Sequence, residues 1–330
     1  MIGSKKPAIE SPSYTSIVLM KKPASRIFLF LAATLSAGQQ PSVNNQSPPQ
    51  STLKVDVKLV NVYCTVTDAH GAPVGDLKKE NFSVKEDGHD QTISVFDKES
   101  AAPISIALAI DTSLSTRHDL PLEQASAKRF AKDILRPVDA LSVWGFSEIV
   151  LQSTSYTSDL RRINEGIDHI HLGAATAMYD AVYTASRSLD RRQGRKVLVL
   201  ITDGGDTVSK LDFKQAVRAA EEAEALVYSI IVVPIENSAG RETGGEHALI
   251  QLSEDTGGKY YYATSMSQLD SAFHQISDEL RTQYLLAYYP SQRTSDSSFR
   301  RINVNVSGPQ DAAEFHVRHR AGYYTSKSDF

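Results

Sequence analysis

The chain is short of several things that would each point to a function. It has one cysteine, Cys64, in 330 residues. A single thiol cannot close an intramolecular disulfide, and it excludes a multi-cysteine zinc site. Its setting, "LVNVYCTVT", alternates like a strand, so Cys64 reads as a small buried hydrophobe. A basic surplus is missing too. The net charge is -4, and bulk charge offers nothing to nucleic acid or anionic lipid. No GxSxG, HExxH or GxxxxGK[ST] pattern occurs. No internal repeat is visible, and past the N-terminus no apolar stretch is long enough to span a bilayer.

What is present is ordinary globular material: 41% hydrophobic and 22% charged residues, enough for a sizeable core. The N-terminal stretch "MKKPASRIFLFLAATLSAGQQ" begins at Met20. Basic residues Lys21, Lys22 and Arg26 precede a short apolar run from Ile27 to Leu35, then small residues Ser36, Ala37 and Gly38. That is the layout of a secretory signal peptide, so residues 1–37 are expected to direct export, with translation starting at Met20. No cysteine follows the apolar run directly, so lipid attachment there is not expected. The destination is the extracellular space or the periplasm and cell envelope. Residues 38–52, rich in Pro, Gln and Asn, are expected to form a disordered linker.

From Leu53 to about residue 100 the pattern has period two, with the buried parity switching between Leu59 and Val60. Three or four antiparallel strands are expected there, with a turn at "EDGHD". Residues 103–283 read differently. Near-continuous apolar runs ("ISIALAIDTS", "KVLVLITDGGD", "LVYSIIVVP") alternate with segments of helical spacing, one of them capped at Ser158. This predicts an α/β fold, a doubly wound, mostly parallel sheet with helices on both faces. After Gln283 alternation returns, and residues 284–325 are read as three strands. Each β-rich flank is too small to stand alone. The two are expected to pair into one β-sandwich with the α/β unit inserted between them.

Ligands of doubly wound sheets bind outside the carboxyl ends of the strands. Two apolar strands end there in oxygens: Asp111, Ser113 and Ser115 in "AIDTSLST", and Asp203 in "LITDGGD". Between them, "LGAATAMYDA" carries Thr176 at the start of a helix. Two carboxylates and three hydroxyls, without imidazole or thiolate, make a hard-oxygen set suited to Mg²⁺, Mn²⁺ or Ca²⁺. With so few charged ligands, the ion would keep positive character and favour an anion at its open position.

Here the sequence resembles the von Willebrand factor A family. "DTSLS" fits its Asp-x-Ser-x-Ser signature, Thr176 its threonine loop, and "TDGGD" its Thr-Asp-Gly loop. The resemblance covers about residues 103–283. The flanks look similar, more loosely, to those of bacterial secreted proteins bearing such a domain. The resemblance implies a Rossmann-like domain with a metal-ion-dependent adhesion site. Ser113, Ser115 and, in some states, Thr176 would ligate a divalent cation directly, Mg²⁺ foremost; Asp111 and Asp203 would act mostly through water. An Asp or Glu of a protein partner would complete the coordination, giving adhesion without bond breaking. Leu114 and Thr116 stand where many members have Gly and Met.

Blander roles compete with each assignment. Ser113 and Ser115 could cap a turn, Thr176 could cap its helix, and Asp203 could belong to a turn. Asp206 reads as a solvated loop carboxylate and Asp180 as a partner of the helix dipole. His169 and His171 lack a third soft ligand for zinc, and the tyrosines of "KYYYATS" and "YLLAYYP" read as strand residues. Two other functions compete as well: a structural envelope module with a vestigial site, and a metal-dependent phosphohydrolase. The latter would want a second Asp two residues after Asp111, where Ser113 stands.

Overall fold

The computed structural model describes residues 59–98, 102–116, 120–233, 243–292, 298–308 and 315–325. The signal-peptide and linker expectations, and the strand predicted over 53–58, fall outside these residues. The first flank contributes β1 (Val60–Thr67), β2 (Phe82–Glu86), β3 (His89–Gln91) and β4 (Ile93–Lys98). The chain turns between β2 and β3 at Asp87 and Gly88, both with positive φ. That matches the two-residue hairpin geometry the Asp-Gly pair favours.

The central unit runs β5 (Ile104–Asp111), α1 (Leu120–Ile134), β6 (Ala140–Phe146), β7 (Val150–Thr157), α2 (Leu160–Asp168), α3 (Met178–Asp190), β8 (Arg195–Thr202), α4 (Phe213–Glu222), β9 (Ala225–Val232), α5 (Thr243–Thr256), β10 (Lys259–Ala263) and α6 (Met266–Thr282). Its six strands lie in the order β10-β9-β8-β5-β6-β7. All are parallel except β7, which returns antiparallel beside β6. The buried strands read as unbroken apolar runs because both faces are covered. Ile106, Leu108 and Ile110 of β5 pack with α1, α2 and α6. Ala107 and Ala109 face the other way, among residues of α3, α4 and α5. The cap of α2 is Asp159, which accepts from the amides of Arg161 and Arg162, and not Ser158 as the sequence suggested. No helix among the described residues is long and apolar enough to cross a membrane.

The last flank forms four strands, not three: β11 (Tyr284–Tyr288), β12 (Phe299–Val306), β13 (His316–His319) and β14 (Gly322–Tyr324). The expected single strand "EFHVRHRAGYY" breaks at Arg320–Ala321. There the Ala321 amide donates to Asp255 O, and Ala321 O accepts from the Ile302 amide. The break sends the two halves to different sheets. One sheet has the order β13-β1-β11-β4, the other β14-β12-β2-β3, so each mixes strands from both flanks. Val62, Cys64, Leu286 and Tyr288 from one sheet pack on Val84, Ile302 and Val304 from the other. Cys64 is fully buried, and burial pushes its thiol pKa up, as a small core hydrophobe requires.

Both faces of β1 are used. Tyr63 lies under the Arg195 guanidinium, 4.9 Å from its ring centre. Thr65 donates to Glu279 of α6. Arg195 also donates to the carbonyl of Leu280. Glu279 further accepts from Tyr228 and forms an ion pair with Arg318 of β13, at 2.7 and 2.5 Å.

Candidate functional site

The strand order reverses beside β5: β6 lies on one side and β8 on the other. This is the switch point where the connecting loops diverge and open a crevice at the carboxyl ends of the strands. Asp111 closes β5, and Thr202 closes β8. Their registers align, Ile110 beside Ile201, which sets the two terminal side chains against each other.

The Asp111 side chain is the centre of the arrangement. Thr202 Oγ1 donates to Asp111 Oδ2 at 2.6 Å, and the Ser113 amide donates to Oδ1 at 2.9 Å. The Ser113 hydroxyl bonds to the same carboxylate. Asp111 is completely buried. Burial raises its pKa to about 6; the hydrogen bonds from Thr202 and Ser113 oppose the rise, and the charge of Asp203 adds to it. None of these principal influences is a basic side chain. A buried carboxylate held chiefly by hydroxyls and an amide is undercompensated for charge, and a hard cation fits such a donor set.

Hydrogen bonds tie the three loops to one another. The Gly173 amide donates to Thr112 O, joining the loop after β5 to the loop before α3. The Thr176 amide donates to Thr207 Oγ1, and Thr176 O accepts from the amides of Thr207 and Val208, joining that loop to the one after β8. None of these bonds uses the Thr176 hydroxyl. Ala177, not Thr176, is the cap residue of α3. Asp203 is half-buried, and its Oδ1 accepts from the Gly205 amide. Asp111, Ser113, Thr176 and Asp203 therefore lie on one interlocked set of loops. Ser115 lies in the turn after β5, but its side chain is outside the described residues.

Other residues act as framework. Thr116, buried, donates to the carbonyls of Asp111 and Ser113 and closes the first loop on itself. Glu148 Oε2 accepts from the amides of Ala174 and Ala175, and its pKa is lowered by backbone hydrogen bonds, these two among them. Gly204 adopts a φ of +95°, and α5 presses so close that a Cβ on Gly245 would fall 1.4 Å from Gly204 O. Both positions need glycine. Asp206 corrects the sequence reading: it is a half-buried cap, not a solvated loop carboxylate. Its Oδ1 accepts from the Met178 and Tyr179 amides at the start of α3 and from Ser209. Asp180 turns to the Lys210 and Leu211 amides, holding the approach to α4.

The sequence reading placed Thr202 in the "TDGGD" motif but gave it no role, because a threonine ending an apolar strand reads as a strand residue. It missed Thr207, whose partner lies 31 residues away. His169 closes α2, with its ring against Glu165 O at 2.5 Å, and His171 is exposed. Among the described residues no group of three or more His, Cys, Asp or Glu side chains is placed to hold a metal ion. The tyrosines divide: Tyr261, Tyr284 and Tyr288 are buried, while Tyr262 and Tyr289 are exposed.

Comparison with known proteins gives one family. The model of the von Willebrand factor type A domain matches residues 105–278. No curated protein matches the chain. Among solved structures, the conserved hypothetical protein BatB from Bacteroides thetaiotaomicron is similar at 19% identity, over 53% of this chain and 98% of that one, with a TM-score of 0.44. A von Willebrand factor type A protein from Catenulispora acidiphila is similar at 12% identity over 73% of each chain, with a TM-score of 0.48. The pilus adhesin SpaC from Lactobacillus rhamnosus GG, in its open conformation, is similar at 10% identity, over 76% of this chain and 49% of that one, with a TM-score of 0.47.

Proposed function

The chain belongs to the von Willebrand factor type A domain family, and from that premise we propose that it is an exported protein-binding module that works through a divalent cation. The cation would be held by Asp111, Ser113, Ser115, Thr176 and Asp203. Mg²⁺ is the first choice, with Ca²⁺ or Mn²⁺ as alternatives. An Asp or Glu of the partner would fill the remaining position. The observation that carries this reading is the buried Asp111 carboxylate, whose principal neighbours are hydroxyls, an amide and a second carboxylate, with no basic group. Asp111, Ser113 and Thr176 stand on mutually hydrogen-bonded segments, which suits recognition of one group in one geometry.

The module is read as non-enzymatic. Ser113 occupies the position where a carboxylate would be needed to move a proton to a leaving group, and a serine cannot do that work. Export rests on the basic, apolar and small-residue layout from Met20 to Gly38. The check on export is the intact mass of protein expressed with its own N-terminus. The envelope or secreted form should lack residues 1–37, and an uncleaved mass would remove this part of the proposal.

The cation is tested by calorimetry and thermal unfolding of the wild type and Asp111→Ala. Mg²⁺ at about a hundred times its dissociation constant should stabilise the wild type by about 2.7 kcal/mol. EDTA should reverse the effect, and Asp111→Ala should show neither heat of binding nor stabilisation. A wild type that ignores Mg²⁺, Ca²⁺, Mn²⁺ and EDTA alike would make the site vestigial and the protein a structural module.

A further inference from the structure

Large hydrophobic side chains exposed on the described surface are few, and four of them stand on the loops of one sheet end. Leu114 is 54% exposed, Ile149 57%, Leu172 42% and Val208 46%. They come from four separate loops, and each is bound into the site by its backbone or that of a neighbour. Leu114 follows Ser113, whose amide holds Asp111. Leu172 precedes Gly173, which donates to Thr112 O. Val208 donates its own amide to Thr176 O. Ile149 O accepts from the Ser147 amide, while Ser147 O accepts from Ala177 beside Thr176. Two nearby carboxylates, exposed Glu148 and half-buried Asp206, are engaged by backbone amides. Glu148 is turned to the Ala174 and Ala175 amides, and Asp206 to those of Met178 and Tyr179.

Exposed apolar groups gathered around a polar centre mark an interaction surface. We infer that the partner is a protein segment whose Asp or Glu is flanked by aliphatic or aromatic side chains. This rests on the cation-dependent reading of the same site. The charge complementarity is specific. The carboxylate meets the cation, while its apolar neighbours cover Leu114, Leu172 and Val208 and exclude water. Loss of water strengthens the ionic contact at the centre. A carboxylate flanked by polar or basic residues would gain nothing from the aliphatic rim.

The test uses the full chain and three short synthetic peptides, with binding measured in Mg²⁺ and in EDTA. The first peptide carries one Glu between leucines, the second the same Glu between serines and glycines, and the third a Gln between leucines. The first should bind at least tenfold tighter than the other two, and only in Mg²⁺. The triple variant Leu114→Ser, Leu172→Ser, Val208→Ser should lose that preference while keeping the Mg²⁺-dependent rise in Tm. The double variant Leu172→Ser, Val208→Ser leaves the first loop intact and should lose part of it.

Equal binding of the first two peptides overturns the proposal, as does failure of both to bind a Mg²⁺-loaded protein; in either case the metal reading stands. A wild type that does not bind Mg²⁺ fails the metal reading first. Sedimentation in Mg²⁺ without peptide is the last arm. A dimer that forms there and disappears in the triple variant assigns the face to a second copy of this chain and also overturns the proposal.

Discussion

Two buried carboxylates of the same folded unit, Glu279 and Asp111, are held in different ways. Glu279, on α6, accepts from Thr65 and Tyr228 and meets the Arg318 guanidinium at 2.5 Å. Gln283 adds its amide to the same hydroxyls. Asp111, at the end of β5, also accepts from a threonine, and its further donors are a backbone amide and the Ser113 hydroxyl. The difference is the cation. Where the α/β unit meets the sandwich, the protein supplies its own positive charge. At the mouth of the sheet its principal neighbours include none, and the carboxyl is raised to about 6. A buried charge left uncompensated by the chain is a place where something else can supply the compensation.

The largest effect expected from this comparison comes from breaking the compensated site. Glu279→Ala takes from Arg318 its charged partner, leaving it the Gly258 carbonyl as acceptor, and removes the acceptor for two hydroxyls. The cost should be about 3 kcal/mol, because the remaining charge loses its partner in a partly buried place. Asp111→Asn, measured in EDTA, should change stability by no more than about 1 kcal/mol. It strands no cation, and the amide can still bond to Thr202 and Ser113. Urea unfolding of both variants at pH 7 is the measurement. If Asp111→Asn without metal costs as much as Glu279→Ala, Asp111 is a structural carboxylate and the contrast collapses.

The uncompensated site was legible in the sequence and the compensated one was not, for a physical reason. Asp111 ends one apolar strand and Asp203 directly follows another, and a parallel sheet brings such ends together by its topology alone. Glu279 sits inside an amphipathic helix, where nothing local distinguishes it from a solvated face. Its partner Arg318 lies 39 residues later, in a strand whose two-residue alternation concealed a break at Arg320–Ala321. Alternation reports which face a residue takes but not which sheet the strand joins. The same limit hid Asp206. A carboxylate after Gly204 and Gly205 reads as a turn, and its role as a cap depends on α3 starting 28 residues earlier. The hairpin at Asp87–Gly88 was readable because its geometry depends only on those two residues.

A third carboxylate lies between the two extremes and gives the smallest effect. Glu221, near the end of α4, is half-buried beside the small cavity lined by Asn61, Tyr63, Glu224 and Arg320. Burial raises its pKa to about 7, and the charge of Asp255 adds to the rise. Arg320 and Arg218 pull it down, and Glu222 pushes it up. Arg320 is already engaged, donating to Asn61 O at 2.7 Å, so its compensation of Glu221 is partial. The sign follows from linkage. The folded pKa lies above the ordinary value of 4.5, so between about 4.5 and about 7 the unfolded chain gives up its proton first. The folded state then holds more protons, and stability falls as pH rises through that window. Solvent screening at a half-buried group limits the loss to about 1 kcal/mol. Other groups titrate in the same range. Half-buried His319, whose pKa desolvation lowers, works in the opposite direction. The informative quantity is therefore the difference between the stability–pH curves of the wild type and Glu221→Gln. That difference should open between about pH 4.5 and 7, with the variant losing less stability. Parallel curves would mean that Arg320 and Arg218 compensate Glu221 fully, which would place it with Glu279 and leave Asp111 as the exception.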